Sequence, residues 1–220
     1  MSQYKILFVG NSYTYYNDMP SIFAEVFASM GYEVEVCSVT KGGEKLLGHA
    51  DEGGETYPQI VEALEKSRFD FAVIQEQSIR PIIAPELFFE GGRRLSAILS
   101  ERVDNTVLYA TWARRCDSEF YGEHPMTVSE MTEKLASAYT ELGKLIGAKV
   151  AQVGKAFGRV GMDKLYSDDA SHPSYLGSCL AALVLAKTVL GARDGEIAAI
   201  SRIGELSEAE TELIKNAVYG

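Results

Sequence analysis

Five short runs rich in β-branched and aromatic residues, separated by longer amphipathic stretches, constrain this chain more than any other feature. Tyr4–Val9, Glu33–Ser38, Phe69–Gln75, Thr106–Thr111 and Lys149–Val153 read as strands. Helical patterning covers Pro20–Met30, Tyr57–Lys66, Pro85–Arg102, Thr127–Ile146 and Ser174–Leu190, with Pro20, Pro58 and Pro85 at first turns and Gly31 and Gly147 at expected stops. Ser207 followed by Glu208 and Glu210 reads as the cap of a last helix ending near Val218. This alternation is the pattern of βαβ units closing on a parallel sheet, and five strands fit a flavodoxin-like order. The stretches Asn11–Met19, Thr40–Glu55, Glu76–Ala84, Trp112–Met126 and Gly154–Pro173 each follow a strand and are expected as irregular loops. In such a sheet they gather along one edge, where ligands bind.

Composition bounds the reading. A chain of 220 residues with 46% hydrophobic content suits a single domain over residues 1–220 with a sizeable core. Its net charge of −10 argues against nucleic acid or an anionic membrane surface as a partner. The opening residues run directly into the first strand without a basic or long apolar leader, and no apolar run approaches the span of a bilayer. Cys37, Cys116 and Cys179 are odd in number and lack metal-like spacing, which favours reduced thiols and a cytoplasmic location. With three histidines and no clustered cysteines, neither a catalytic metal nor a cofactor is expected.

The chemistry begins at Ser12, which leaves the first strand in Gly10-Asn11-Ser12-Tyr13-Thr14. A serine is a weak nucleophile at neutral pH and needs a base. Far downstream, Asp168-Asp169-Ala170-Ser171-His172 supplies an imidazole with a carboxylate three residues before it. Asp169 is the first choice to orient His172, and Asp168 the second. Acyl transfer also needs donors for a developing oxyanion. Gly42-Gly43, after the second strand, lets backbone N–H groups approach a ligand, and the carboxamides of Gln75 and Gln77 stand at the end of the third.

In this arrangement the chain resembles the SGNH hydrolase superfamily, the GDSL-type esterases and lipases. Gly10-Asn11-Ser12-Tyr13 matches the first block and Asp169-Ala170-Ser171-His172 the last. Gly42-Gly43 matches the glycine block, with Gly43 the preferred oxyanion donor and Gly42 the second choice. The family's Gly-x-Asn-Asp block stands here as Gln75-Glu76-Gln77-Ser78, which puts Gln77 in the asparagine's place and leaves Gln75 as an alternative. Asn11 replaces the usual aspartate. The resemblance implies a three-layer α/β/α sandwich, a metal-free Ser-His-Asp esterase mechanism and the Ser12 N–H as a further oxyanion donor.

The implied substrate is a small-molecule acyl ester. Tyr13, Tyr15 and Tyr16 crowd the first loop, while Trp112, Arg114 and Arg115 follow the fourth strand. Such rings can stack on a sugar, and guanidinium groups can bind hydroxyls or a carboxylate, which favours deacetylation of a carbohydrate. The same residues also admit a thioesterase or short-chain lipase, or a catalytically silent binding module with the same fold. His49 reads better as a solvated loop histidine than as a pocket residue, and Cys116, after two arginines, as an incidental loop thiol.

Overall fold

The computed structural model describes residues 3–161 and 163–219. Five parallel strands, β1 (Gln3–Gly10), β2 (Glu33–Thr40), β3 (Phe69–Ile74), β4 (Val103–Tyr109) and β5 (Lys149–Ala151), form one sheet in the order β2-β1-β3-β4-β5. In chain order the α-helices are α1 (Ser12–Tyr15), α2 (Met19–Ser29), α3 (Leu46–His49), α4 (Tyr57–Lys66), α5 (Arg80–Ile83), α6 (Pro85–Leu99), α7 (Phe120–Glu123), α8 (Val128–Ile146), α9 (Val153–Val160), α10 (Tyr175–Leu190), α11 (Asp194–Ala198) and α12 (Glu208–Val218).

Period-two alternation divides the strand side chains between two cores. Ile6, Phe8, Phe71, Val73, Val107 and Tyr109 face the layer made by α2, α9, α10 and α12. Leu7, Val9, Ala72, Ile74 and Leu108 face α4, α6 and α8. Both faces of the sheet are covered, which is why its central strands are apolar on both sides and carry little polar alternation. Helix α10 is apolar nearly all round because it packs against α2, α9 and α12 as well as the sheet. Among the described residues no helix is long and apolar enough to cross a membrane.

Local chemistry sets the boundaries. Gly31 and Gly147 take left-handed backbone angles at helix ends, at φ of 83° and 69°. Ser207 and Glu210 form a reciprocal capping box at the start of α12. Several expected boundaries shift, and the stretches expected as irregular loops after β1, β2, β3 and β4 carry the short helices α1, α3, α5 and α7. Strand β4 begins at Val103 rather than Thr106, since Val103 and Asn105 pair with Phe69 and Phe71 and override the poor strand preference of Asp104-Asn105.

The stretch expected as a loop after β5 opens instead with α9, so β5 ends at Ala151 rather than Val153. Its glycines read as loop residues in isolation, yet Val153, Ala156 and Phe157 form an apolar face on the core. Gly154 is needed for close approach: a Cβ there would lie 2.2 Å from the Thr111 carbonyl oxygen. Gly154→Ala should therefore lower stability by about 1–3 kcal/mol, measured by urea unfolding, because backbone rather than a flexible side chain blocks the added methyl.

Candidate active site

The turn that leaves β1 is held by hydrogen bonds from three other segments. The Asn11 N–H is buried and donates to Gln75 Oε1 at 3.0 Å, and the Thr14 hydroxyl donates to the same oxygen at 2.9 Å. Gly10 permits this approach, since a Cβ there would stand 2.4 Å from Thr14 Oγ1 and 2.8 Å from Gln75 Oε1. Asn11 caps the short helix α1 by accepting the Tyr13 N–H on Oδ1 at 3.2 Å. Its Nδ2 donates to the Glu44 carbonyl at 2.8 Å, which ties the serine turn to the loop of Gly42 and Gly43. An aspartate has no N–H to give that carbonyl, so the amide side chain does what a carboxylate there could not.

His49 fixes the same loop from beneath. It is fully buried, not solvated as its loop position implied. Nε2 donates to the Gly10 carbonyl at 3.1 Å, which leaves Nδ1 to accept from the Thr56 hydroxyl at 2.9 Å. Burial lowers its pKa to about 4 against the opposing pull of Glu44, so the ring is a neutral structural tether.

The segment carrying His172 is a tight turn. The Ser167 N–H donates to the His172 carbonyl at 2.9 Å, and Ala170 sits at a φ of 58°, a left-handed angle uncommon for a residue with a Cβ. That turn brings Asp169 back onto His172. Asp169 Oδ1 accepts the amides of Ser171 at 3.0 Å and His172 at 2.8 Å, while Oδ2 accepts from His172 Nδ1. Burial raises the Asp169 carboxyl, but the His172 ring and the two amides outweigh it and hold it below the usual range.

An ionised carboxylate only accepts, so Nδ1 carries a proton, and in the neutral ring Nε2 presents its lone pair to Ser12 Oγ at 2.8 Å. Tyr16 stacks on the imidazole at 4.3 Å and 13°, and Tyr13 meets it edge-on at 5.4 Å. Asp168 is exposed and has no hydrogen bond to His172 among the described residues.

A cavity of about 200 Å³ opens over Ser12 and His172 and is bordered by Gly43, Gln77, Ser78 and Arg114. Gly43 has a φ of 67°, and neither its N–H nor that of Ser12 has a partner among the described residues. Gly42 does not border the cavity and instead lies beside the Tyr15 hydroxyl. The two glutamines separate clearly. Gln75 is fully buried, with Oε1 committed to the serine turn and Nε2 to the Glu76 carbonyl, so it serves the turn and not the cavity. Gln77 accepts the amides of Ile79 at 3.2 Å and Arg80 at 3.1 Å on Oε1, which turns its Nε2 toward Ser78 Oγ, another residue of the cavity wall.

Trp112 requires a correction as a substrate platform. It is fully buried, with Tyr13 stacked at 4.4 Å and Phe157 at 4.2 Å on opposite faces. Its Nε1 donates to the Ser171 carbonyl at 3.0 Å. The ring therefore braces Tyr13 and the histidine turn, and neither face is free for a sugar. Arg115 is held by Asp117 through two hydrogen bonds. Arg114 instead donates to the Tyr13 hydroxyl at 2.7 Å and to Ser78 Oγ at 2.8 Å. Ser78 and Ser171, which sequence reasoning passed over, carry no signal in a single chain beyond their adjacency to the two blocks. Among the described residues no group of three or more His, Cys, Asp or Glu side chains could hold a metal ion.

No protein-family model and no curated protein matches the chain. Among solved structures, a candidate SGNH hydrolase from Slackia heliotrinireducens is 32% identical, with 85% of this chain and 99% of that one covered and a TM-score of 0.76. This chain belongs to the SGNH hydrolase superfamily. The fold recurs in a DUF4886 family protein from Bacteroides uniformis at 16% identity, TM-score 0.81, covering 99% of this chain and 94% of that one. It also recurs in a catalytic mutant of an acetylxylan esterase from Geobacillus stearothermophilus at 15% identity, TM-score 0.59, covering 84% and 94%.

Within this SGNH-superfamily chain, Glu76 links the two loops that border the cavity. Its Oε1 accepts the amides of Gln77 at 2.6 Å and Leu46 at 3.3 Å, while the buried Oε2 has no partner among the described residues. Burial raises the carboxyl to about 7 against the pull of those amides. The folded state thus holds this proton more tightly than the unfolded chain, and the associated stability is lost as pH rises through about 7. Between about pH 5 and about pH 8, wild type should lose about 2–3 kcal/mol relative to Glu76→Gln in urea unfolding. Parallel pH profiles for the two proteins would contradict the assignment.

Proposed function

We propose that this chain is a serine esterase acting on a small acyl ester, with Ser12 as nucleophile, His172 as general base and acid, and Asp169 as the group that orients His172. The observation that carries this reading is the continuous hydrogen-bonded line from Asp169 through His172 to Ser12 Oγ, the last link being 2.8 Å. His172 Nε2 takes the hydroxyl proton as Ser12 Oγ attacks the ester carbonyl. The tetrahedral oxyanion is received by the N–H groups of Ser12 and Gly43 and by Gln77 Nε2. Collapse breaks the ester C–O bond as His172 protonates the departing alcohol. Water, deprotonated by the same imidazole, then attacks the acyl-enzyme, releasing the carboxylic acid and restoring Ser12.

The size of the cavity favours a short acyl group such as acetyl over a long chain. A carbohydrate alcohol draws support from the acetylxylan esterase that shares the fold. A thioesterase or short-chain lipase would use the same residues, and profiling acyl length and leaving group separates them.

A fluorophosphonate probe with peptide mapping should place the adduct on Ser12 in wild type and find none in His172→Ala. A folded protein that takes up no probe would favour a silent binding module. Kinetics on an acetyl ester give a second check. Asp169→Asn should lower kcat by about 10²-fold or more, whereas Asp168→Asn stays within about threefold; equal losses would remove Asp169 from its role. Gln77→Ala should cost about 10² in kcat with little change in KM if its amide meets the oxyanion only in the transition state.

A further inference from the structure

We propose that Arg114 anchors a carboxylate of the substrate beside the ester attacked by Ser12, so that the preferred substrate is an anionic ester; this rests on the esterase reading above. Arg114 borders the cavity together with Ser12 and His172. A guanidinium has five N–H donors and no acceptor, and its natural partner is a planar oxyanion gripped by two parallel hydrogen bonds. Here its side-chain partners are two neutral hydroxyls, those of Tyr13 at 2.7 Å and Ser78 at 2.8 Å. No ion pair engages it among the described residues.

A shortage of carboxylates does not explain this. The chain carries 31 Asp and Glu against 21 Lys and Arg, yet the residues bordering this cavity include one cation and no acid. The neighbouring Arg115, which does not border this cavity, does have its aspartate. Tethering Tyr13 to Ser78 needs only a neutral donor. A half-buried cation is the costlier choice unless a ligand supplies the opposite charge.

The group is also built to stay in place. Its backbone N–H donates to Met131 Sδ at 3.4 Å, and its carbonyl accepts the Tyr121 hydroxyl at 2.7 Å. The guanidinium carbon lies 6.0 Å from the centroid of the Tyr13 ring, and that ring is clamped by the Trp112 stack. Its partner Tyr13 adjoins Ser12 in sequence, and the Tyr13 hydroxyl bonds Ser171, the neighbour of His172, at 2.8 Å. A fixed cation linked to both catalytic segments loses little freedom on binding, which suits it to position an ester for attack. Locally it offsets the repulsion that a net charge of −10 would otherwise impose on an anionic substrate.

The carboxylate can sit on the acyl side or on the alcohol side of the ester, and paired substrates distinguish the two. Monomethyl succinate is compared with methyl butyrate by pH-stat titration, and 4-acetoxybenzoate with 4-acetoxybenzamide by absorbance. The expected result is that wild type prefers the anionic member of one pair by at least about tenfold in kcat/KM, carried mainly by KM. Arg114→Met should erase that ratio, and Arg114→Lys should retain part of it, because a lysine keeps the charge but loses the fork. The ratio is read within each variant, so a general loss of activity does not affect it.

Ser12-dependent turnover without charge preference in wild type, or a preference that survives in Arg114→Met, would overturn the proposal and leave the esterase reading standing. Absence of Ser12-dependent turnover on all four esters would overturn the esterase reading and this inference with it.

Discussion

A sharp exit from a buried strand leaves a backbone N–H with no ladder partner, and in this protein that group is the N–H of Asn11, answered by the carboxamide oxygen of Gln75. Most of the site depends on this bond. Because the same oxygen also takes the Thr14 hydroxyl, the first turn of α1 is pinned at both ends and Ser12 is held between them. The other face of the turn is fixed by Asn11 Nδ2 on the Glu44 carbonyl and by His49 on the Gly10 carbonyl. Each of these partners comes from the end of a neighbouring strand or the loop after it. The position of the serine is thereby a property of the sheet edge and not of the turn alone.

A second level of organisation is electrostatic. The chain is strongly acidic, but Glu76, which links the two cavity loops, is buried and biased toward its neutral form, while the wall itself presents N–H and O–H donors. Donors aimed into a small recess favour negative charge there, whether it develops on an oxyanion or arrives with a ligand. Asp169 is the exception. Its amide partners come from its own turn, so the carboxylate stays ionised at a position open to solvent.

The strand pattern and the order of the blocks were legible because they depend on local periodicity and on chemically rare combinations, an aspartate three residues before a histidine among them. The amphipathic face of α9 was obscured by Gly154 and Gly158, which resemble loop residues in isolation, although Gly154 is what allows close packing on the backbone of Thr111. Gln75 and Gln77 are chemically identical in a sequence. Only their surroundings make one a buried acceptor for the serine turn and the other a carboxamide with its NH₂ toward the cavity wall. Trp112 was misread for a similar reason, since an aromatic residue at the right sheet edge can face either solvent or core.

By itself, then, the sequence determined the class of fold, the five strands and the six longest helices, and the residue types able to form a nucleophile, a base and an orienter. These follow from side-chain periodicity and from functional groups that only a few residues possess. The tertiary structure decided which aspartate meets His172, which glutamine is spent on the backbone, that Trp112 and His49 are braces, and that Arg114 borders the cavity without a carboxylate. Those distinctions depend on contacts between residues as much as 160 positions apart, such as Ser12 with His172, and on burial that no local pattern encodes.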